Sequence, residues 1–216
     1  MLMMKQGNNH KFVCGLTQSG KSYFVKRAVL QMQCPVLYMN IQGEDLPQDF
    51  YTIYTSKHDI YELRQLIEDD VKINMVYETQ LKGYEVTAGY LLSQLMTMSD
   101  AIGLDENKYM YVVLDECHLL TGWALRAARY IATAGLKKGI RLICVTQRPA
   151  LCDKTLYTQA FEHYIFFLTA AESAYMKNKG IDYEQCQELW KMHGDHSYCY
   201  YNGYVLEGRE PLKNNA

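Results

Sequence analysis

Long apolar runs, excess charge and paired cysteines are all missing from this chain. No segment approaches the roughly 18 uninterrupted apolar residues of a membrane-crossing helix, and Met1-Leu2-Met3-Met4 is too short for a signal peptide. With 22 Lys and Arg against 24 Asp and Glu, the formal net charge is −2. No global field therefore draws the chain to nucleic acid or to a membrane. The seven cysteines are odd in number and none forms C-x-x-C, which argues against a disulfide framework. Cys186, His193, His196 and Cys199 match no common zinc spacing, and the last members alternate as in a strand. Repeats and low-complexity segments are lacking too. The composition, 49% hydrophobic and 21% charged, suits an ordinary core. The expectation is a soluble intracellular protein with a single domain over residues 1–208 and a polar tail over 209–216.

Against that background one stretch stands out, Gly15-Leu16-Thr17-Gln18-Ser19-Gly20-Lys21-Ser22. It reads G-x-x-x-x-G-K-[ST], a phosphate-binding loop. Gly15 and Gly20 let the backbone curl so that its N–H groups face phosphate oxygens. Lys21 would carry its charge to the β and γ phosphates of a nucleoside triphosphate such as ATP, and Ser22 would offer a hydroxyl to Mg²⁺. Thr17, Gln18, Ser19 and Tyr23 complete the expected nucleotide contacts. The apolar run at 11–14 predicts a strand feeding the loop. Tyr23, Phe24, Ala28, Val29 and Met32 predict a helix over 21–33 lying on a sheet.

Further along, strands are expected at 36–41, 51–55 and 72–77, and helices at 59–70 and 86–102, with polar turn residues at 79–85. Residues 109–116 form a second informative run, apolar until it ends in Asp115-Glu116. Two carboxylates at the end of a buried strand form the Walker B pattern: Asp115 would hold Mg²⁺, and Glu116 would polarise the attacking water as general base. His118 is read as an ordinary helix-entry residue. A helix from Gly122 to Gly135 or Gly139 leads into a strand at 140–146 followed by Gln147-Arg148-Pro149, where Gln147 can reach a γ phosphate. The remainder predicts a strand at 163–169, helices at 171–179 and 182–193, and a hairpin at 197–206 around Asn202-Gly203. The fold class is α/β, a mainly parallel sheet flanked by helices with a C-terminal β-hairpin.

Charge is uneven locally. Residues 42–70 hold eight acids against Lys57 and Arg64, whereas residues 121–149 hold six basic residues and no acid. Two differently solvated faces would explain this. Complementary faces of a self-assembling ring, with part of the basic segment turned toward DNA, would explain it as well.

Together, G-L-T-Q-S-G-K-S, Y-V-V-L-D-E and K-G-I-R-L-I-C-V-T-Q-R-P resemble the HerA–FtsK superfamily of DNA-pumping ATPases over residues 11–150. The short members that this chain resembles are genome-packaging ATPases of membrane-containing double-stranded DNA viruses. The resemblance implies a RecA-like (ASCE) P-loop NTPase fold, ATP and Mg²⁺ as cofactors, and a homo-oligomeric ring, hexamer or pentamer. It further implies double-stranded DNA as partner, docking on a capsid or membrane protein of the virion, and residence in the host cytoplasm or on the virion. It makes Lys21 and Ser22 the phosphate and Mg²⁺ residues, Asp115 the Walker B acid, Glu116 the base and Gln147 the sensor. Many relatives carry Gly where this chain has Gln18, a change expected to be harmless because the position faces outward in such loops. Many also carry an arginine, acting across the subunit boundary, where this chain has Leu136-Lys137-Lys138-Gly139. A trans arginine must then come from Arg129, Arg141, Arg126 or Arg148, in that order of preference, and Lys137 and Lys138 fall in a pore-facing, DNA-binding loop. The alternative is an ATPase driving secretion or assembly of a protein filament, of the filamentous-phage extrusion or pilus type. A nucleotide switch without turnover would not need Glu116, and no acceptor-binding motif suggests a nucleoside kinase.

Overall fold

The computed structural model describes residues 4, 6–41, 46–54, 60–76 and 84–210. Its centre is a nine-stranded sheet in the order β3-β4-β2-β5-β6-β1-β7-β8-β9. The strands are β1 (Lys11–Cys14), β2 (Val36–Asn40), β3 (Tyr51–Tyr54), β4 (Lys72–Val76), β5 (Met110–Leu114), β6 (Ile140–Thr146), β7 (Glu162–Phe166), β8 (Tyr198–Tyr201) and β9 (Leu206–Arg209). Adjacent strands from β3 through β7 pair in parallel, while β8 and β9 add an antiparallel hairpin at one edge. All the strands expected from the sequence form. β9 runs to Arg209, the first residue of the expected tail.

Among the described residues seven α-helices connect the strands: α1 (Lys21–Leu30), α2 (Ile60–Glu68), α3 (Tyr84–Ala101), α4 (Gly122–Ala134), α5 (Lys154–Gln159), α6 (Ser173–Lys179) and α7 (Tyr183–His193). The expected turn at 79–85 lies outside the described residues up to residue 83, as do Thr55 and Tyr77 at two expected strand ends. Parallel strands bury both faces, so the sheet separates two apolar layers. Phe12, Val112, Leu114, Leu142 and Cys144 point into one layer with Leu91, Leu95, Ala128 and Ile131 of α3 and α4. Their neighbours Val13, Tyr111, Val113, Ile143 and Val145 point into the other, against Phe24, Val25, Ala28 and Val29 of α1. This two-residue alternation follows from the strand pleat.

A buried ion pair lies at the strand ends remote from the phosphate loop. Lys11 at the start of β1 bonds Glu162 at the start of β7 at 2.9 Å, and the Tyr164 hydroxyl donates to the same carboxylate at 2.6 Å. Chain order places β1 between β6 and β7, whereas its successor β2 lies beyond β5. That reversal opens a crevice at the carboxyl ends of β1, β5 and β6, where open α/β sheets bind ligands.

Candidate nucleotide site

β1 ends at Cys14, and the chain curls over the sheet before entering α1. Two main-chain bonds strap the loop down: Gly15 N–H donates to Thr146 O at 3.2 Å, and Leu16 N–H to Phe167 O at 2.9 Å. A Cβ on Gly15 would stand 2.5 Å from both Phe166 Cβ and Ser19 Oγ, so no larger residue fits. Gly20, the N-cap of α1, has φ +94°, and no side chain caps the helix. The first-turn N–H groups of α1 therefore face the cleft as an anion site.

Gln18 is exposed, as expected of an outward position, but its φ of +64° corrects the expectation that glutamine there is harmless. A β-carbon in the left-handed region is strained by about 1 kcal/mol, and a glycine at this position would relieve it.

Thr17, Gln18, Gly20, Lys21, Ser22 and Tyr23 line a cleft of about 370 Å³ together with Glu116 and Gln147. Lys21 is 5% exposed. The cleft thus unites three segments separated by about a hundred residues or by thirty. Asp115, the chain neighbour of Glu116, is buried, its carboxylate accepting the Tyr38 hydroxyl at 3.2 Å and the Glu116 N–H at 3.1 Å. Ser22 and Asp115 are hard oxygen donors of the kind Mg²⁺ prefers, and carboxylate oxygens retain further lone pairs for a metal or its waters. The donor set fits the ion.

β5 stops at Leu114, leaving both acids in the turn that follows. Glu116 has φ +47° and ψ +47°, left-handed for a non-glycine residue, the kind of backbone outlier that clusters at functional sites. Its Oε2 accepts the Gln147 N–H at 3.3 Å and lies 3.2 Å from His118 Nδ1. Burial pushes the Glu116 carboxyl up, but the His118 bond, the Lys21 charge and the Gln147 N–H outweigh it and hold the group below its ordinary value. Glu116 is a carboxylate at neutral pH. Gln147 Oε1 accepts the Thr17 hydroxyl at 2.5 Å, which ties the end of β6 to the phosphate loop.

Sequence reasoning assigned His118 no chemistry, and nothing in its spacing marks its contact with Glu116. His196 was also missed: it packs on Gly20, where a Cβ would meet its ring at 3.3 Å. His196 belongs to a second cavity, of about 510 Å³, which shares Thr17 and Gln18 with the first. Leu16, Thr17, Gln18 and Ser19 form one wall, and Phe167, Gln187, Trp190 and Lys191 with residues 194–197 form the rest. Cys186 and Cys199 are buried in the core, and among the described residues no group of three or more metal-ligating side chains is present.

The expected trans arginines divide. Arg141 is fully buried; its guanidinium holds Asn8 Oδ1 and Glu106 O and lies 3.3 Å over the Tyr109 ring. It is locked within its own chain and cannot reach a neighbouring subunit, which corrects its place among the candidates. Arg126, Arg129 and Arg148 are exposed, with Arg129 paired to Asp153, the N-cap residue of α5. Lys137 and Lys138 lie in a short 3₁₀ turn before β6, at the opposite end of that strand from Gln147, and Lys138 pairs with Asp100. The basic stretch is therefore partly neutralised within the chain: Arg141 is buried, and Arg129 and Lys138 have acidic partners.

No family model matches the chain, and no curated protein matches it. Among solved structures it is similar to the genome packaging NTPase B204 from Sulfolobus turreted icosahedral virus 2 in complex with AMP, with a TM-score of 0.67, 14% identity and coverage of 96% of this chain and 100% of that one. It is similar as well to EccC (ATPases 2 and 3) from Thermomonospora curvata in complex with a signal sequence peptide, with a TM-score of 0.58, 12% identity and coverage of 97% of this chain and 39% of that one. EssC (ATPases 2 and 3) from Geobacillus thermodenitrificans gives a TM-score of 0.54 at 12% identity, covering 97% and 41% of the two chains. At such identities the likeness establishes the fold: a RecA-like P-loop NTPase domain with an antiparallel hairpin at its edge.

Proposed function

We propose that this chain is an ATP-hydrolysing subunit of a ring-shaped motor that moves double-stranded DNA, a viral genome-packaging ATPase. The observation that carries the reading is the meeting of Lys21, Ser22, Glu116 and Gln147 in one cleft. Lys21 and the amides of the α1 N-terminus bind the phosphates and offset negative charge that grows on the γ phosphoryl group. Glu116, already a carboxylate, accepts a proton from the attacking water. Thr17 fixes the Gln147 carbonyl, which turns the amide N–H₂ toward the cleft as a γ-phosphate sensor. Mg²⁺, held by Ser22 and Asp115, would neutralise phosphate charge when bound. The second cavity, walled by Trp190 and Phe167, receives the nucleoside.

The similarity to B204 along the whole of both chains supports the packaging reading. On that reading the ring docks on a capsid or membrane protein of the virion, in the host cytoplasm, and an exposed arginine (Arg129, Arg126 or Arg148) completes the neighbour's site. Lys137 and Lys138 contact DNA phosphates without reading bases. The similarity to secretion-type EccC favours one alternative, a motor that acts on protein. Hydrolysis by wild type, Lys21→Ala and Glu116→Gln tests the enzyme. Wild type should turn over ATP, Lys21→Ala should lose binding, and Glu116→Gln should bind without turnover. Turnover by Glu116→Gln at the wild-type rate would remove the base assignment.

A further inference from the structure

We propose that His118 is the positioning residue for Glu116, holding the base in register with the Gln147 end of β6; the proposal rests on the hydrolytic reading of the cleft. His118 lies in the 3₁₀ turn Cys117–Leu119 that directly follows Glu116, and the two side chains are each 7% exposed. Its Nδ1 stands 3.2 Å from Glu116 Oε2 and 2.9 Å from Thr146 Oγ1. A bare Nδ1 lone pair facing a carboxylate oxygen would be repelled, so the geometry assigns the proton to Nδ1, shared as a three-centre donor between Thr146 Oγ1 and Glu116 Oε2.

The contact closes a circuit. Thr146 Oγ1 accepts the Arg148 N–H at 2.9 Å, Gln147 N–H reaches Glu116 Oε2 at 3.3 Å, and Gln147 Oε1 accepts the Thr17 hydroxyl. Base, sensor and phosphate loop are thereby linked through one connected set of hydrogen bonds, part-buried around Glu116 and Thr146 and exposed at Thr17. Glu116 needs such a hold. Its left-handed backbone launches a flexible side chain from a turn rather than from a strand, and a useful base must sit within about 0.5 Å of its working position. The Gln147 N–H and His118 Nδ1 both meet Oε2, so that oxygen is held from two sides where one donor alone would let it swing. A change at Gln147 on loss of the γ phosphate would pass to Glu116 through the same atoms. His118 touches Glu116 and not the reacting phosphate, so its effect is on orientation.

The test is His118→Leu beside His118→Asn, whose amide N–H stands near the place of Nδ1. For each variant the measurements are kcat, KM, affinity for a non-hydrolysable ATP analogue and Tm. A misplacement of about 1 Å costs on the order of 100-fold in rate, so His118→Leu should lose roughly 10- to 100-fold in kcat. KM and analogue affinity should stay within about threefold, and His118→Asn should recover most of the rate. Unchanged kcat in His118→Leu, an asparagine variant no better than leucine, or an equal loss of analogue affinity would each overturn the proposal. Absence of hydrolysis by the wild type would instead overturn the underlying enzymatic reading.

Discussion

Acid should loosen this protein through two buried imidazoles before its carboxylates titrate. His163 on β7 is 1% exposed, donates Nε2–H to Ala160 O at 2.9 Å and accepts the Tyr175 hydroxyl at Nδ1 at 2.8 Å. Burial, helped by the Lys179 charge, pushes its pKa down to about 3. His10 is pushed down to about 4, chiefly by burial and further by Arg141 and Lys11 against an opposing Ala132 backbone bond. Both are neutral in the folded chain and titrate near 6.5 once unfolded. The unfolded state then binds more protons below pH 6.5, so stability is complete above that pH and falls as pH drops through it. Each imidazole costs about 1.4 kcal/mol per pH unit, or about 2 kcal/mol by pH 5 and about 4 kcal/mol for the pair. That is a large share of the roughly 5–15 kcal/mol of a typical domain. His163→Gln keeps an amide donor for Ala160 and a carbonyl acceptor for Tyr175 but cannot titrate. Urea unfolding followed by circular dichroism between pH 7 and pH 5 should show the wild-type slope, and about half of it in His163→Gln. A slope that is flat in the wild type, or unchanged in the variant, would refute the reasoning.

Three further outcomes are expected. Glu162→Gln leaves the Lys11 ammonium buried without its counter-ion and should cost about 3–5 kcal/mol in denaturant unfolding; a loss under 1 kcal/mol would contradict the pairing. Gln18→Gly relieves a left-handed side chain and should add about 1 kcal/mol of stability, or roughly 2–4 °C in Tm; an unchanged or lower Tm would contradict the strain. Arg141→Met should lower Tm while hydrolysis per folded subunit survives, and mixing with Lys21→Ala subunits should change nothing. A kcat that collapses at unchanged Tm would return Arg141 to the list of trans arginines.

The parts of this molecule that were legible in the sequence are those whose physics is local. The phosphate loop declares itself because only glycine tolerates the contacts at residue 15 and the φ at residue 20. The strands declare themselves because burial on both faces demands continuous apolar runs such as 110–114 and 140–146. Strand order was illegible, since β1 pairs with β6 and β7 across more than a hundred residues and no periodicity encodes that choice. Arg141 misled for a related reason: an arginine in an apolar strand looks available until Asn8, Glu106 and Tyr109 close around it from distant segments. The short α5 was missed because six residues carry too little period to read. The left-handed turn at Glu116 and the second cavity likewise arise only from tertiary contacts.

The central claim is a DNA-driven ATPase centred on Glu116, and the most direct measurement is ATP hydrolysis with and without double-stranded DNA by wild type and Glu116→Gln side by side. The account predicts wild-type hydrolysis that rises with DNA and is lost in the variant. Hydrolysis indifferent to DNA, though lost in the variant, would contradict the DNA motor and leave a protein-directed machine in its place.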